Sequence, residues 1–229
     1  MKVTILIPIF NEENTIINLL KRVNNQKNGL ADLEIIIVDD CSTDNSKKLL
    51  KENPELYSQL IELGKNLGKG GAVREGLKHS EGDYILFQDG DLEYNPNDYQ
   101  KIFRMIKKFN ADVVIGSRFL SPEYTRIHYY FHRVGNKFIT FLFNLLYNTT
   151  FTDIYSCYLC FRKDLIDPNK LRSDSWSQQA EILATAVKKS NVYYEVPISY
   201  SGRSFEDGKK IKARHTFSVV YMIIKKRIF

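Results

Sequence analysis

Apolar residues enter the first half of this chain as short unbroken runs, separated by stretches with helical spacing. The runs at 3–9, 33–38, 60–63, 84–87 and 111–115 are too short and continuous for amphipathic helices and read as buried strands. Between the first two, 13–25 carries Ile16, Ile17, Leu19, Leu20 and Val23 on one side of a helix, with Asn11 placed to cap it. Further helices are expected at 42–51, opened by Ser42-Thr43-Asp44, at 70–78, and at 96–109, where Pro96 occupies the first turn that tolerates proline. Strands alternating with helices of this length predict an α/β fold: a doubly wound, mostly parallel sheet with right-handed crossovers. No internal repeat or low-complexity linker interrupts the series.

The second half has a different texture. From 126 to 147, aromatic and aliphatic side chains crowd a helix-like segment, among them Tyr129, Tyr130, Phe131, Phe138, Phe141, Leu142, Phe143 and Leu145. The tail repeats the theme: Lys209, Lys210, Lys212 and Arg214 precede an apolar stretch at 217–224, and Lys225, Lys226 and Arg227 follow it. Basic flanks around apolar cores suit the headgroup region of an anionic membrane, although an ordinary core helix with solvated lysines has the same pattern. Neither stretch approaches the roughly 20 apolar residues needed to cross a bilayer.

Polar residues gather where the expected strands end. Pro8, Asn11 and Glu12 follow the first strand, Asp39 and Asp40 the second, and the glycine-rich turn 64–71 with Lys69 the third. After 84–87 comes Asp89-Gly90-Asp91-Leu92-Glu93. The carboxyl ends of parallel strands share one edge, so these clusters meet in a single cleft. Asp89, Asp91 and Glu93 are spaced by two, so an extended chain points all three to one side, and Gly90 lets the backbone turn or approach a ligand. An isolated Asp-Gly-Asp is more often a polar turn. At the end of a buried strand it reads as a site for a hard cation, Mg²⁺ or Mn²⁺. With Lys69 able to reach a phosphate, the cleft is expected to take a nucleoside diphosphate.

Composition narrows the classes without deciding among them. The 229 residues suffice for one large domain, and the net charge of +6 favours anionic partners. The basic residues form no interleaved aromatic platform and acids occupy the cleft, so a nucleic-acid partner is not expected. Cys41, Cys157 and Cys160 are odd in number, and the single C-x-x-C lacks the second pair of a structural zinc site; reduced, packed thiols are expected. His128 and His132 stand four apart, but Tyr129 takes the place a zinc-protease motif gives to glutamate. The amino end lacks the layout of a signal peptide, so a cytoplasmic protein, peripheral on the cytoplasmic face of a membrane, is expected.

The residues also carry a family resemblance. The opening Ile7-Pro8-Ile9-Phe10-Asn11-Glu12-Glu13, the run Val38 to Asp44, Asn66-Leu67-Gly68-Lys69-Gly70 and Asp89-Gly90-Asp91 resemble family-2 glycosyltransferases of GT-A fold. Gly116-Ser117-Arg118, Arg133 with Gly135-Asn136, Thr152-Asp153, Glu195 to Ile198, Tyr200, Arg203 and Gly208 to Ile211 resemble its dolichol- and polyprenyl-phosphate branch. The resemblance implies that Pro8, Asn11, Glu12 and Asp39 hold the nucleoside with Lys69 beside them, and that Asp89, Asp91 and Glu93 hold the metal. Glu93 departs from the glutamine frequent at that position. Arg118, Arg133 and Arg203 would contact donor or acceptor phosphates, for which a guanidinium fork is suited, though each alone is equally a solvated surface charge.

The implied reaction is transfer of a hexose with inversion from a GDP- or UDP-sugar to a polyprenyl phosphate. Should the acceptor be a hydroxyl of a saccharide or protein instead, a carboxylate must take its proton, and Asp153 is the expected base, with a hydrogen-bonded loop cap as its alternative; Glu181 stands behind it, equally readable as structural on its apolar helix. A non-catalytic nucleotide-sugar-binding subunit is a third possibility. The expected organisation is one GT-A domain over 1–203, a nucleotide-sugar half at 1–118 and an acceptor half at 119–203, followed by a basic amphipathic, membrane-facing segment at 204–229. A homo-oligomer is compatible with these features.

Overall fold

A computed structural model describes residues 1–120, 130–202 and 215–229. Seven strands form one sheet: β1 (Lys2–Ile9), β2 (Asp32–Asp39), β3 (Gln59–Glu62), β4 (Tyr84–Phe87), β5 (Val113–Ser117), β6 (Leu159–Arg162) and β7 (Tyr193–Pro197), in the order β3-β2-β1-β4-β6-β5-β7. β1 pairs in parallel with β2 and β4, β2 with β3, and β5 with β7. β6 alone runs antiparallel, wedged between β4 and β5. The sequence gives no warning of that insertion, because 159–162 is as apolar as its parallel neighbours and period alone does not report direction.

The helices are α1 (Ile16–Asn24), α2 (Ser46–Lys51), α3 (Gly68–His79), α4 (Tyr99–Phe109), α5 (Tyr130–Tyr147), α6 (Gln178–Val187) and α7 (His215–Ile228). α4 shows how pattern becomes packing. Ile102, Phe103 and Ile106 are buried, Lys107 and Lys108 fall in the last turn, and Asn110 closes the helix at φ 52°. Pro96 opens a separate 3₁₀ turn, Pro96–Asp98, rather than α4 itself, and the Asn95 side chain accepts from the Asn97 amide to cap it. Side chains of β1, β2, β4, β5 and β6 form a continuous core with the inner faces of α1, α4 and α6.

The C-terminal α7 is docked rather than trailing. It packs against α5 and α6 and buries Val219, Met222 and Ile223. Its other face, with Phe217, Tyr221 and Ile228, is exposed, as are Phe131, Phe138, Phe141 and Leu145 of α5. The basic cluster 209–214 lies outside the described residues, as does His128. Cys41, Cys157 and Cys160 are free thiols, the last two buried, as expected.

Candidate active site

The carboxyl ends of β1, β2 and β4 open onto a cavity of about 420 Å³. Pro8 at the end of β1 and Phe10 and Glu12 just after it line the cavity, with Asp40 after β2 and Asn66, Gly68 and Lys69 where the chain enters α3. Asp89, Gly90, Asp91 and Glu93 follow β4, and Asp174 to Trp176 with Tyr200 complete the wall. The polar clusters seen at the strand ends thus meet on one edge.

Two turns interlock beside this cavity, which they reach through Glu12. The amides of Asn11, Glu12 and Glu13 donate to Ser42 Oγ (3.0 Å), Ser46 Oγ (2.9 Å) and Asp44 Oδ2 (3.1 Å). In return, Thr43 N donates to Asn11 Oδ1 at 2.8 Å. Asn11 and Cys41 both adopt left-handed backbones, φ 55° and 65°, which this exchange holds in place. Two expectations are corrected here. Asn11 does not cap α1, which starts at Ile16 after Thr15, and α2 starts only at Ser46: Ser42 and Thr43 bond to the facing turn, while Asp44 accepts from Glu13 N through Oδ2 and from Ser46 N through Oδ1 at 2.9 Å. Thr15 Oγ1 then donates to Gly90 O at 2.9 Å, tying the start of α1 to the acidic turn.

Of the residues expected to hold a nucleoside, Pro8, Glu12 and Lys69 line the cavity whereas Asn11 and Asp39 do not. Asp39 is buried, with Oδ1 accepting from Ser42 N at 3.0 Å. Its neighbour Asp40 faces the cavity and accepts from Leu67 N at 2.6 Å. Burial pushes the Asp40 carboxyl above the usual range, against the bonds from the Leu67 and Gly68 amides. A strand leaves adjacent residues on opposite sides, so sequence alone could not say which of the pair would serve.

The acidic turn is only partly as expected. Lys69 Nζ lies 2.5 Å from Asp89 Oδ1, with 21% and 24% of the two side chains exposed. Burial alone would lower the Lys69 pKa, but Asp89, together with the nearby Cys157 and Tyr155, outweighs it and the net direction is upward. Asp91 Oδ1 accepts from Glu93 N at 3.0 Å, and Glu93 Oε2 accepts from the Tyr200 hydroxyl at 2.6 Å. Among the described residues, no group of three or more His, Cys, Asp or Glu side chains is arranged to hold a metal ion. The three carboxylates therefore share a cavity without forming a protein-only cage. Asp89 and Asp91 still fit a divalent cation at a phosphate site, since Mg²⁺ there is held by one or two carboxylates and completed by phosphate and water oxygens.

A second cluster stands beyond Tyr200. Arg118 makes a bidentate pair with Asp153, Nε to Oδ2 at 2.7 Å and Nη2 to Oδ1 at 2.9 Å, and its amide donates to Oδ2 at 3.1 Å. Asp153 is fully buried and does not line the cavity. Its geometry is that of a buttress for Arg118 rather than the proton acceptor expected from sequence. Arg118 also lies 5.1 Å from the Tyr200 ring and 5.7 Å from that of Phe119, with Arg133 5.6 Å from Phe119 on its own account. Two of the three expected arginines thus flank one aromatic ring. Arg203 lies outside the described residues.

Glu195 supports the same cluster, its Oε1 accepting from Thr152 N (2.9 Å) and Asp153 N (3.2 Å). Burial raises its pKa above 4.5, only partly opposed by these bonds. A carboxyl with a raised folded-state pKa contributes stability that is complete below its unfolded pKa and lost as pH rises through the folded value. Denaturant titrations from pH 4 upward are accordingly expected to show a falling contribution in the wild type that is absent in Glu195→Gln. Parallel pH profiles for the two proteins would refute this.

The cavity wall at 172–177 was invisible in the sequence. Glu181, fully buried on α6, accepts from Arg172 N (3.1 Å) and Ser173 N (2.8 Å) and pairs with Lys226 of α7 at 2.9 Å. It therefore positions backbone and is not available as a base. Asp174 O accepts from Gly70 N at 3.1 Å, and a Cβ on Gly68 (φ 75°) or Gly70 would collide with the backbone of Ser173 or Asp174. Tyr155, whose phenol burial pushes up to about 12, donates to Trp176 O at 3.0 Å. The signal in the sequence that points here is the glycine pair Gly68 and Gly70, each of which has a close backbone neighbour.

Comparison with known proteins gives this arrangement a family. The sequence profile described as "Glycosyl transferase family 2" matches residues 4–167, from β1 through β6. The chain belongs to glycosyl transferase family 2. This family-2 chain is 28% identical over 213 residues to the undecaprenyl-phosphate 4-deoxy-4-formamido-L-arabinose transferase of Proteus mirabilis (strain HI4320), covering 91% of this chain and 62% of that protein. It is 26% identical over 231 residues to the dolichol-phosphate mannosyltransferase of Pyrococcus furiosus, covering 98% of this chain and 64% of the relative. The chain thus spans somewhat over three fifths of these curated relatives.

Solved structures agree on the fold of this family-2 chain. Glucosyl-3-phosphoglycerate synthase from Mycobacterium tuberculosis, in complex with Mn²⁺, uridine diphosphate and phosphoglyceric acid, superposes with a TM-score of 0.74 at 15% identity over 99% of this chain and 78% of that one. Residues 1–349 of S. aureus TarS in complex with UDP-GlcNAc superpose at 0.67 with 18% identity, over 99% and 66% of the two chains. The architecture is therefore the GT-A one, a mixed α/β fold with a mostly parallel sheet.

Proposed function

We propose that this family-2 chain transfers a hexose, with inversion, from a nucleoside diphosphate sugar to a polyprenyl phosphate, using Mg²⁺ or Mn²⁺. The observation that carries the reading is the juxtaposition of Asp89, Asp91 and Lys69 in one cavity at the carboxyl edge of the sheet. The similarity over nearly the whole chain to two transferases named for polyprenyl- and dolichol-phosphate chemistry supports the acceptor. Pro8, Glu12 and Asp40 would bind the nucleoside, with Asp40 or Glu12 accepting from ribose or base. Asp89 and Asp91 would hold the cation, which when bound neutralises charge developing on the departing diphosphate. Lys69 supplies a second positive charge to the same oxygens.

The acceptor side of the reading rests on the arginines. Arg118, fixed by Asp153, and Arg133 across Phe119 would orient a phosphate monoester, with Arg203 contributing from the segment after β7. A phosphate oxygen then attacks the anomeric carbon as the bond to the diphosphate breaks. Because such a phosphate is largely ionised near neutral pH, no protein base is needed. The commitment of Asp153 to Arg118 fits a reaction that does not use it as one.

The exposed apolar faces of α5 and α7 would rest on the lipid surface that delivers the acceptor. Around them stand Arg133, Lys137, Lys225 and Arg227, with no acidic residue on either helix, which favours anionic headgroups. No helix among the described residues is long and apolar enough to cross a membrane. We take 1–203 as the transferase domain and 204–229 as a C-terminal segment whose described part, α7, contributes to the lipid-facing surface. Incubation with radiolabelled GDP- or UDP-sugar and undecaprenyl phosphate, followed by solvent extraction, is expected to move label into the organic phase in a Mn²⁺-dependent manner. Label that stays aqueous at saturating acceptor would reject the lipid acceptor.

A further inference from the structure

Lys69 has two close neighbours in the cavity. Its ammonium touches Asp89 Oδ1 and sits 5.1 Å from the centroid of the Trp176 ring. Asp89 is also a carboxylate that the proposed function gives to a divalent cation, so two positive groups address one anion. Like charges crowded on one carboxylate repel strongly in a partly desolvated site. We propose that Lys69 is a tethered competitor for Asp89, so that the divalent cation enters only together with a nucleoside diphosphate that takes over the ammonium. This rests on reading the cavity as a sugar-nucleotide site and goes beyond it by setting the order in which ligands bind.

The argument turns on what Lys69 gains or loses. A cation arriving alone must share Asp89 with the ammonium or drive it off, and a half-buried ammonium without a counter-ion is unfavourable. The Trp176 face offers it only a weaker, quadrupolar partner. A diphosphate changes this balance by presenting several anionic oxygens to the same ammonium. Two amides of the first turn of α3 are already committed, Gly70 N to Asp174 O and Gly68 N to Asn66 Oδ1. The lysine side chain is therefore the group through which nucleotide and metal sense one another, and that coupling is reciprocal.

Mn²⁺ binding, followed through loss of the free-ion EPR signal with and without UDP or GDP, tests this on the full chain. In the wild type, the nucleotide is expected to tighten Mn²⁺ binding about tenfold or more, within the usual range of coupling between sites. Lys69→Met is expected to tighten binding of Mn²⁺ alone about tenfold and to shrink the coupling by a similar factor. Lys69→Arg is expected to keep both at wild-type values. Trp176 is the only tryptophan, so its emission reports independently: Mn²⁺ alone should shift it less than Mn²⁺ with nucleotide in the wild type. Lys69→Gln replaces the methionine variant if thermal unfolding shows the latter misfolded. A Lys69→Met protein that binds Mn²⁺ alone no tighter than wild type overturns the competition, while the site itself stands if Asp89→Asn abolishes binding with nucleotide. Retention of Mn²⁺ by Asp89→Asn would instead remove the reading of the cavity, and this inference with it.

Discussion

Asp89→Asn is expected to lower sugar transfer by on the order of 10²–10³-fold, the usual cost of losing one preorganised electrostatic contact to a transition state. The amide keeps the shape of the turn but removes the charge that faces both Lys69 and the proposed cation. The measurement is steady-state transfer from labelled nucleotide sugar, with circular dichroism to show that the fold is intact. Asp91→Asn should follow the same pattern. Glu93→Gln should cost much less, because its carboxylate is bonded to the Tyr200 hydroxyl and an amide oxygen can accept that bond equally. Full activity in Asp89→Asn would place the chemistry elsewhere.

The largest effect on stability is expected at Asp153. Its carboxylate is fully buried and accepts three bonds from Arg118, whose side chain is itself only 11% exposed. Removing one member of such a pair leaves an uncompensated buried charge, at a cost of about 3–5 kcal/mol. Each kcal/mol corresponds to about 2–4 °C for a chain of this size. Asp153→Ala is thus expected to lower the melting temperature by roughly 6 °C or more. The double variant Asp153→Ala, Arg118→Met removes both charges and should recover much of that loss. A small shift in the single variant would mean that Arg118 finds another partner.

What the sequence disclosed and what it withheld divide along physical lines. Strands β1, β2 and β4 were legible because buried parallel strands are unbroken apolar runs, and the edge where they end was legible because parallel strands share direction. The insertion of β6 between β4 and β5 was not, since antiparallel pairing leaves no mark in a run buried on both faces. Asp89, Asp91 and Lys69 were found because their spacing and neighbouring glycines mean something locally. The motif points to Asp39, but it is the adjacent Asp40 that lines the cavity while Asp39 accepts from Ser42 N, an alternation along the strand that sequence does not phase. Asp153 looks from its motif like a base for a hydroxyl acceptor, and Glu181, on an apolar helix, reads equally as structural or chemical. In the folded chain each is spent holding other groups, through contacts 35 residues away for Arg118 and 45 for Lys226.

The Glu181 contact has a practical side. One carboxylate is held both by Lys226 and by the amides of Arg172 and Ser173, in the segment that leads to Trp176. Trimming the last few residues to improve solubility would therefore not be harmless housekeeping. It would remove the counter-ion of a buried carboxylate whose other contacts hold the segment bordering the cavity.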